Sequence, residues 1–416
     1  MTNPILLAAG TITLALIGST ALAAPVCGAG TGQPATGVPV KVGGIHGNAA
    51  PGDFSSSTTA ARAYFDCVNA NGGLNGRPIA YLVENDQWNP ELAAQAASKL
   101  LTDDKVVAMV GNGSFVEMAV NAPTYKAEGI MAMAAGCAVS ECFESPNIVS
   151  TNQGPLPSTI GAAQYMVEEK AAQHAVCIGL TIPNVGNWSC GAMEEYMASK
   201  GLTGSSVLLN PASPDVNSGL LEAVATGADT MVVNLPAGLA IAFLKAAEEQ
   251  GLGDAYQWAS STPLYDRTVP AALGPYWDGK MFINAELTPW DKGGPDATNW
   301  LAVMDAHAPA GAPRDTFSQS GYLAARYFVE TALKLDPAQL DDRAAVTAAI
   351  TAINGYTSDL TCGPYYVGSA DRHMPNHAGT MVVVKGDGFE TVRDCYEYDS
   401  PYFAPILEQE AALGLR

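Results

Sequence analysis

The chain has 416 residues, long for one compact domain and enough for two or three. Its formal net charge of −21 argues against nucleic acid and anionic membrane surfaces as partners, because phosphate recognition needs clustered Lys and Arg. Hydrophobic residues at 48% and charged residues at 15% fit a soluble globular chain with ample core.

In chain order, residues 5–22 are apolar and rich in small residues, and they run into Ala21-Leu22-Ala23-Ala24. That reads as a secretory signal covering residues 1–23, although Met1-Thr2-Asn3-Pro4 carries no basic residue. Val26 before Cys27 does not suit a lipid-anchor site, and no later stretch is apolar enough to span a bilayer. A first strand is expected at 40–45, a helix following Ser55-Ser56-Ser57, and a second strand at 79–83. Asn89-Pro90-Glu91 opens a helix to about 101, through an Asn cap and a proline at the first helical position. Strands at 106–110 and 130–134 flank a helix at 117–126.

A second series follows. A helix opens near 158, strands fall near 176–180, 206–209, 230–233 and 257–259, and helices near 191–199, 219–225 and 239–250 separate them. Strands alternating with helices mean βαβ units and parallel sheets. After a strand near 281–284 the rhythm changes to helices at 296–308, 317–335 and 341–353, and a β segment at 365–384 ends the core.

Eight cysteines in an exported chain read as disulfides, with many connectivities open. Local spacing favours Cys137–Cys142 and Cys177–Cys190, which leaves Cys27–Cys67 and Cys362–Cys395. A metal site is not expected, because there is no Cys-x-x-Cys pair and Pro375 interrupts His373 and His377. No phosphate loop, dinucleotide fingerprint or nucleophile elbow is present, so an enzyme is disfavoured and no cofactor is expected.

The stretch Phe65-Asp-Cys-Val-Asn-Ala-Asn-Gly-Gly-Leu-Asn-Gly-Arg-Pro-Ile79 resembles a passage of periplasmic binding proteins of the leucine/isoleucine/valine type. So do Asn85-Asp86, Asn89-Pro90, Val110-Gly111, Glu128-Gly-Ile-Met131, Gly251-Leu252 and Cys362-Gly-Pro-Tyr365. The resemblance covers residues 40–390. It implies an α/β fold of the type I kind: two Rossmann-like lobes with parallel sheets joined by a three-strand hinge. Hinge crossings are expected near 149–153, 285–290 and 361–366. The lobes would then be 38–150 plus 288–361, and 151–287 plus 362–410. The implied role is a monomeric periplasmic receptor that hands a small-molecule solute to an ABC permease in the inner membrane. A sensory module of the same fold is the rival reading.

The resemblance also places the ligand residues. In amino-acid-binding relatives a serine after the third strand, and Ala and Thr after the fourth, hold the α-carboxylate. Here those positions fall on Phe115, Gly136 and Ala138, with Cys137 between the last two, and a one-residue shift puts Ser114 in the serine role. The acid expected after Gln257-Trp258-Ala259 is replaced by Ser260-Ser261-Thr262. The grip on an α-amino acid therefore looks missing, since a buried ammonium needs a partner. Phe54, Phe115 and Trp188 are expected as an aromatic wall, with Trp88 past the second strand as a further candidate contact, and Leu235, Pro236 and Thr262 at strand ends of the second lobe. Each has a plainer reading as packing, and Asn187, Tyr322 and His46 are more readily structural. The expectation is an aromatic or hydrophobic carboxylate held by Ser114, Thr262 and backbone N–H groups, with branched-chain amino acids or amides as the alternative.

Overall fold

The computed structural model describes residues 25–49, 52–368 and 372–416, so the expected signal segment lies outside the described residues. The first strand, β1 (Val40–His46), leads into a small antiparallel ribbon of β2 (Asn48–Ala49) and β3 (Gly52–Asp53). Then come α1 (Ser55–Ala70), β4 (Ile79–Asn85), α2 (Pro90–Ser98), β5 (Met109–Asn112), α3 (Phe115–Glu128), β6 (Ala132–Ala134), the short α4 (Glu141–Glu144) and β7 (Ile148–Ser150). These strands form a parallel five-stranded sheet in the order β4-β1-β5-β6-β7.

The chain then builds a second sheet. Its elements are α5 (Pro155–Lys170), β8 (His174–Leu180), α6 (Gly186–Ser199), β9 (Thr203–Leu209), α7 (Val216–Ala225), β10 (Thr230–Val233), α8 (Ala237–Glu249), β11 (Gln257–Ser260), α9 (Val269–Leu273) and β12 (Met281–Ala285). Next, α10 (Pro295–His307), α11 (Thr316–Ala332) and α12 (Arg343–Thr351) return to the first sheet: α10 and α11 pack on α1, and α11 also on β5 and β6. The chain ends with β13 (Ala378–Lys385), β14 (Gly388–Glu397) and α13 (Ala404–Ala412). The second sheet runs β14-β13-β12-β11-β10-β8-β9.

Local chemistry explains the boundaries. Asn89 Oδ1 accepts the N–H groups of Glu91 and Leu92, and Pro90 follows it, so α2 starts there. Ser114 Oγ accepts from Val116 and Glu117 at the start of α3, which ends on Gly129 at φ +60°. Gly111 sits at φ +77°, where a Cβ would lie 2.8 Å from the Ala61 side chain, and it marks the irregular register between β5 and β6. The central strands are buried on both faces, as helices on each side require. Trp258 and Trp277, both nearly inaccessible, meet edge to face at 5.2 Å in the core of the second sheet.

Four disulfides join Cys27–Cys67, Cys137–Cys142, Cys177–Cys190 and Cys362–Cys395. Among the described residues no helix is long and apolar enough to cross a membrane.

Several sequence expectations are displaced. The strand expected at 106–110 forms at Met109–Asn112, because the apolar run Val106–Ala108 leads into the sheet while the pairing with β6 begins at Met109. The helix expected to reach 101 ends at Ser98 and continues as one wider turn, Lys99–Asp103. Of the β segment expected at 365–384, residues 378–384 fall in β13, which pairs with an unexpected β14, while Tyr365 makes only an isolated bridge to Tyr356. Pro364 and Pro375 cannot donate to a ladder, and Gly386-Asp387-Gly388 turns the chain. These last strands run antiparallel, so the second sheet is mixed at one edge.

Candidate functional site

The chain passes between the two sheets three times: after β7, after β12, and between α12 and β13. All three passages meet at Glu286. One carboxylate oxygen, Oε2, accepts the backbone N–H groups of Gln153 and Gly154, each at 2.9 Å, and the Asn152 amide at 3.3 Å. The Glu286 carbonyl accepts from Asn376 at 2.8 Å, which adds the third passage. Glu286 is 2% exposed, and burial pushes its carboxyl up to about 7 despite those donors. Beside it, Thr262 Oγ1 donates to the Asn284 carbonyl, accepts from Glu286 N, and lies 2.9 Å from Ser158 Oγ. Tyr398 Oη donates to Asn284 Oδ1 and accepts from Gln153.

Two small cavities open at this junction. One, of about 50 Å³, lies between Phe54, Cys137, Asn152, Thr262, Glu286 and Phe317. The other, of about 160 Å³, is walled by Phe54, Asp315, Thr316 and Phe317 on one side and Pro236, Tyr265 and Asp266 on the other. Larger hollows of about 390 and 430 Å³ are lined by α10, α11 and the 26–28 segment, and by residues 101–107 with Arg343, respectively. Elements of only one sheet build those, so the junction is the better candidate.

The junction wall is aromatic. Phe54 stacks on Phe317 with centroids 4.3 Å apart, and both rings line both cavities. Trp88 and Phe115 stack at 4.2 Å and meet Phe54 edge-on at 5.2 and 5.9 Å, so they buttress it from behind. The Trp88 indole N–H reaches the Ala49 and Gly52 carbonyls at 2.7 and 2.9 Å and pins the β2–β3 ribbon beside Phe54. Trp88 itself has φ +58°, an uncommon backbone for a bulky residue, with its N–H on Asp86 Oδ1. A Cβ on Gly136 would stand 3.5 Å from the Phe54 ring.

Other expected residues lie elsewhere or are engaged. The Ser114 hydroxyl donates to Asp86 and caps α3, which uses its donor and both acceptor sites. Thr262 lines the smaller cavity, but its hydroxyl is spent on the network around Glu286. Cys137 also lines that cavity, held through Asn152 and its bond to Cys142. Pro236 lines the larger cavity, whereas Leu235, 1% exposed, points into the core of the second sheet. Trp188, on α6, stacks at 5.7 Å on Phe143 of α4, a contact between elements of the two sheets and outside both cavities. Asn187 is exposed, Tyr322 is in the core against Tyr64, and His46 bonds Thr58 at 2.8 Å.

Sequence reasoning missed Phe317, Asp315, Asp266 and Glu286. Asp315 before Thr316-Phe317-Ser318 is a visible helix start, and Glu286 is an acid inside an expected hinge; nothing local says that they face the same space. Asp315 accepts from Ser318 N at 2.8 Å, and burial, with Asp266 adding repulsion, pushes its carboxyl up to about 6. Among the described residues no group of His, Cys, Asp and Glu is placed to hold a metal.

The family model described as "Periplasmic binding protein" matches residues 39–389. The chain belongs to the periplasmic binding protein family. Among curated proteins, none matches the sequence. Of solved structures, a possible leucine/isoleucine/valine-binding protein from Rhodopirellula baltica superimposes with a TM-score of 0.75 at 13% identity, over 86% of this chain and 98% of that one. A solute-binding protein of an ABC transporter from R. palustris, in complex with 4-hydroxybenzoate, gives 0.73 at 16% identity, over 88% and 100%. A fatty acid ABC transporter substrate-binding protein from Thermomonospora curvata gives 0.72 at 16% identity, over 88% and 94%. Identities this low carry the likeness of fold alone.

Proposed function

We propose that this chain is the extracytoplasmic receptor of an ABC importer, and that a small organic solute with an aromatic or apolar body binds between its lobes. The observation that carries this is the Phe54–Phe317 wall, set at the junction where all three passages converge on Glu286. In this reading residues 38–150 with 288–361, and 151–287 with 362–410, move as two bodies about that junction, and the solute holds them closed. Size supports it: an engineered protein cavity of about 150 Å³ holds benzene, so a hollow near 160 Å³ suits one ring or a short branched chain. The 4-hydroxybenzoate of the R. palustris protein has a body of that class. The carboxylate end expected from the sequence has less support, since Ser114 and Thr262 are already engaged.

The test is a thermal-shift screen of ligand-stripped mature protein against aromatic, aliphatic, amide, amine and polyol solutes, followed by small-angle scattering on hits. A solute at a hundred times its dissociation constant adds about 2.7 kcal/mol, a clear shift. A hit that also reduces the radius of gyration is expected. A screen in which no class of small solute shifts the melt or the radius overturns the receptor reading.

A further inference from the structure

The walls of the 160 Å³ cavity carry charge of one sign. Asp53 and Asp315 reach it from the first sheet's side and Asp266 from the second's, while among the described residues no Lys or Arg lines either junction cavity. None of the three carboxylates forms an ion pair among the described residues. Asp53 accepts from Ser55 N at 2.8 Å, Asp266 from Thr268 N and Oγ1, and Asp315 from Ser318 N. His46, the base that faces Asp53, is bonded to Thr58 and has its pKa lowered by burial, so it stays neutral above its ordinary range, while Arg267 and Arg314, next in the chain to Asp266 and Asp315, lie over the Trp290 ring and on Asp305.

The helix starts that could welcome an anion are mostly filled by the protein's own groups. The start of α5 holds the Glu286 carboxylate, that of α11 holds Asp315, and that of α3 holds Ser114 backed by Asp86. The start of α8, at Pro236-Ala237, has no side-chain cap and borders the larger cavity. Across from it Thr316, 3% exposed and lining the same cavity, has a hydroxyl without a partner. That pair suits a neutral oxygen or N–H of a solute. Phe54 and Phe317, stacked on each other, each keep one ring face off the stack, and such a face beside the acids suits a cation.

We infer that the solute is a small organic cation, an amine or amidinium on an aromatic or apolar body, whose charge sits among Asp53, Asp266 and Asp315. This rests on the receptor reading above. A solute carboxylate in the same place would meet three like charges and no Lys or Arg in the lining, against which the uncapped start of α8 sets only a partial positive charge. The raised pKa of Asp315 agrees, being that of a buried acid that lacks its cation. The chain's net charge of −21 would steer a cation in and an anion away.

The test compares three probes of one shape, benzylamine, benzyl alcohol and phenylacetate, by calorimetry on the ligand-stripped mature protein and on its Asp315→Asn and Asp266→Asn variants. Asn keeps the cap and turn acceptors in both, so folding is checked by an unchanged melt, and either folded variant suffices. Benzylamine is expected to bind at least about tenfold tighter than either other probe, and each Asn variant to weaken it by roughly 30-fold. Phenylacetate or benzyl alcohol binding as tightly as benzylamine, or an Asn variant that leaves amine affinity unchanged, overturns the cation. If none of the three binds, the charge of the best hit in the wider screen decides: an amine supports the inference and an anion or neutral solute overturns it. Absence of any hit sinks the receptor reading instead.

Discussion

Glu286 offers the sharpest quantitative test, because its carboxylate ties the first passage between the sheets to the second, while its backbone carbonyl holds the third. Its carboxyl is pushed by burial from 4.5 up to about 7. In that window the native state binds more protons than the unfolded chain, so stability is lost as pH rises from about 4.5 to about 7. A displacement of some 2.5 units corresponds to about 3 kcal/mol at most. Glu286→Gln removes the titration and keeps an oxygen for the Gln153 and Gly154 N–H groups. Relative to the parent, the Gln variant should therefore gain about 3 kcal/mol between pH 4.5 and pH 8.

Glu286→Ala behaves differently. It strands the two backbone N–H groups and the Asn152 amide in a buried site, each at a cost of about 1–3 kcal/mol. It should fall at least about 3 kcal/mol below the Gln variant at every pH. Urea melts of the three proteins at both pH values give these differences directly. The difference curve cancels Glu117, another fully buried carboxyl, raised to about 8 mainly by burial. A parent-to-Gln difference that does not change between pH 4.5 and pH 8 would refute the buried, proton-binding Glu286 described here.

Phe317→Ala should weaken solute binding by about tenfold or more while Trp88 and Phe115 hold Phe54 in place, and calorimetry reads this; unchanged affinity would put the ring outside the site. Trp188→Ala, which removes the stack on Phe143, should weaken binding through the closing equilibrium and enlarge the unliganded protein in small-angle scattering; weaker binding with no change in size would make Trp188 a direct contact instead. Loss of Cys27–Cys67, with a sequence separation of 40, should cost about 4 kcal/mol, against about 2 kcal/mol for Cys137–Cys142 with a separation of 5. Binding should follow the opposite order, since Cys137 lines a junction cavity and Cys27 does not. Urea melts and calorimetry of Cys→Ala pairs measure both, and equal stability losses would count against chain entropy as the cause.

The alternation of apolar strands with capped helices made both sheets legible, because period and caps are local: Asn89-Pro90 starts α2 and the run at 230–233 is β10. The final hairpin was not legible, since β14 (Gly388–Glu397) is mostly solvent-facing and charged, and an edge strand of that kind shows no apolar period. The site divides along the same line. Phe54, Trp88 and Phe115 were readable as aromatics after strands, and they do come together. Ser114 and Thr262 were readable too, but a hydroxyl that caps a helix or closes a buried network looks in sequence like one that faces a solute. Only the count of donors and acceptors around it tells them apart. The same reasoning separates the chain's acids. Most of its ion pairs sit at the surface and have cations beside them, where each contributes little. Asp53, Asp266 and Asp315 are brought from positions up to 262 residues apart to one aromatic cavity that, among the described residues, no Lys or Arg lines. The burial of Asp315, with Asp266 adding repulsion, is a cost that the unliganded fold carries, and a bound cation is the simplest thing that would lower it.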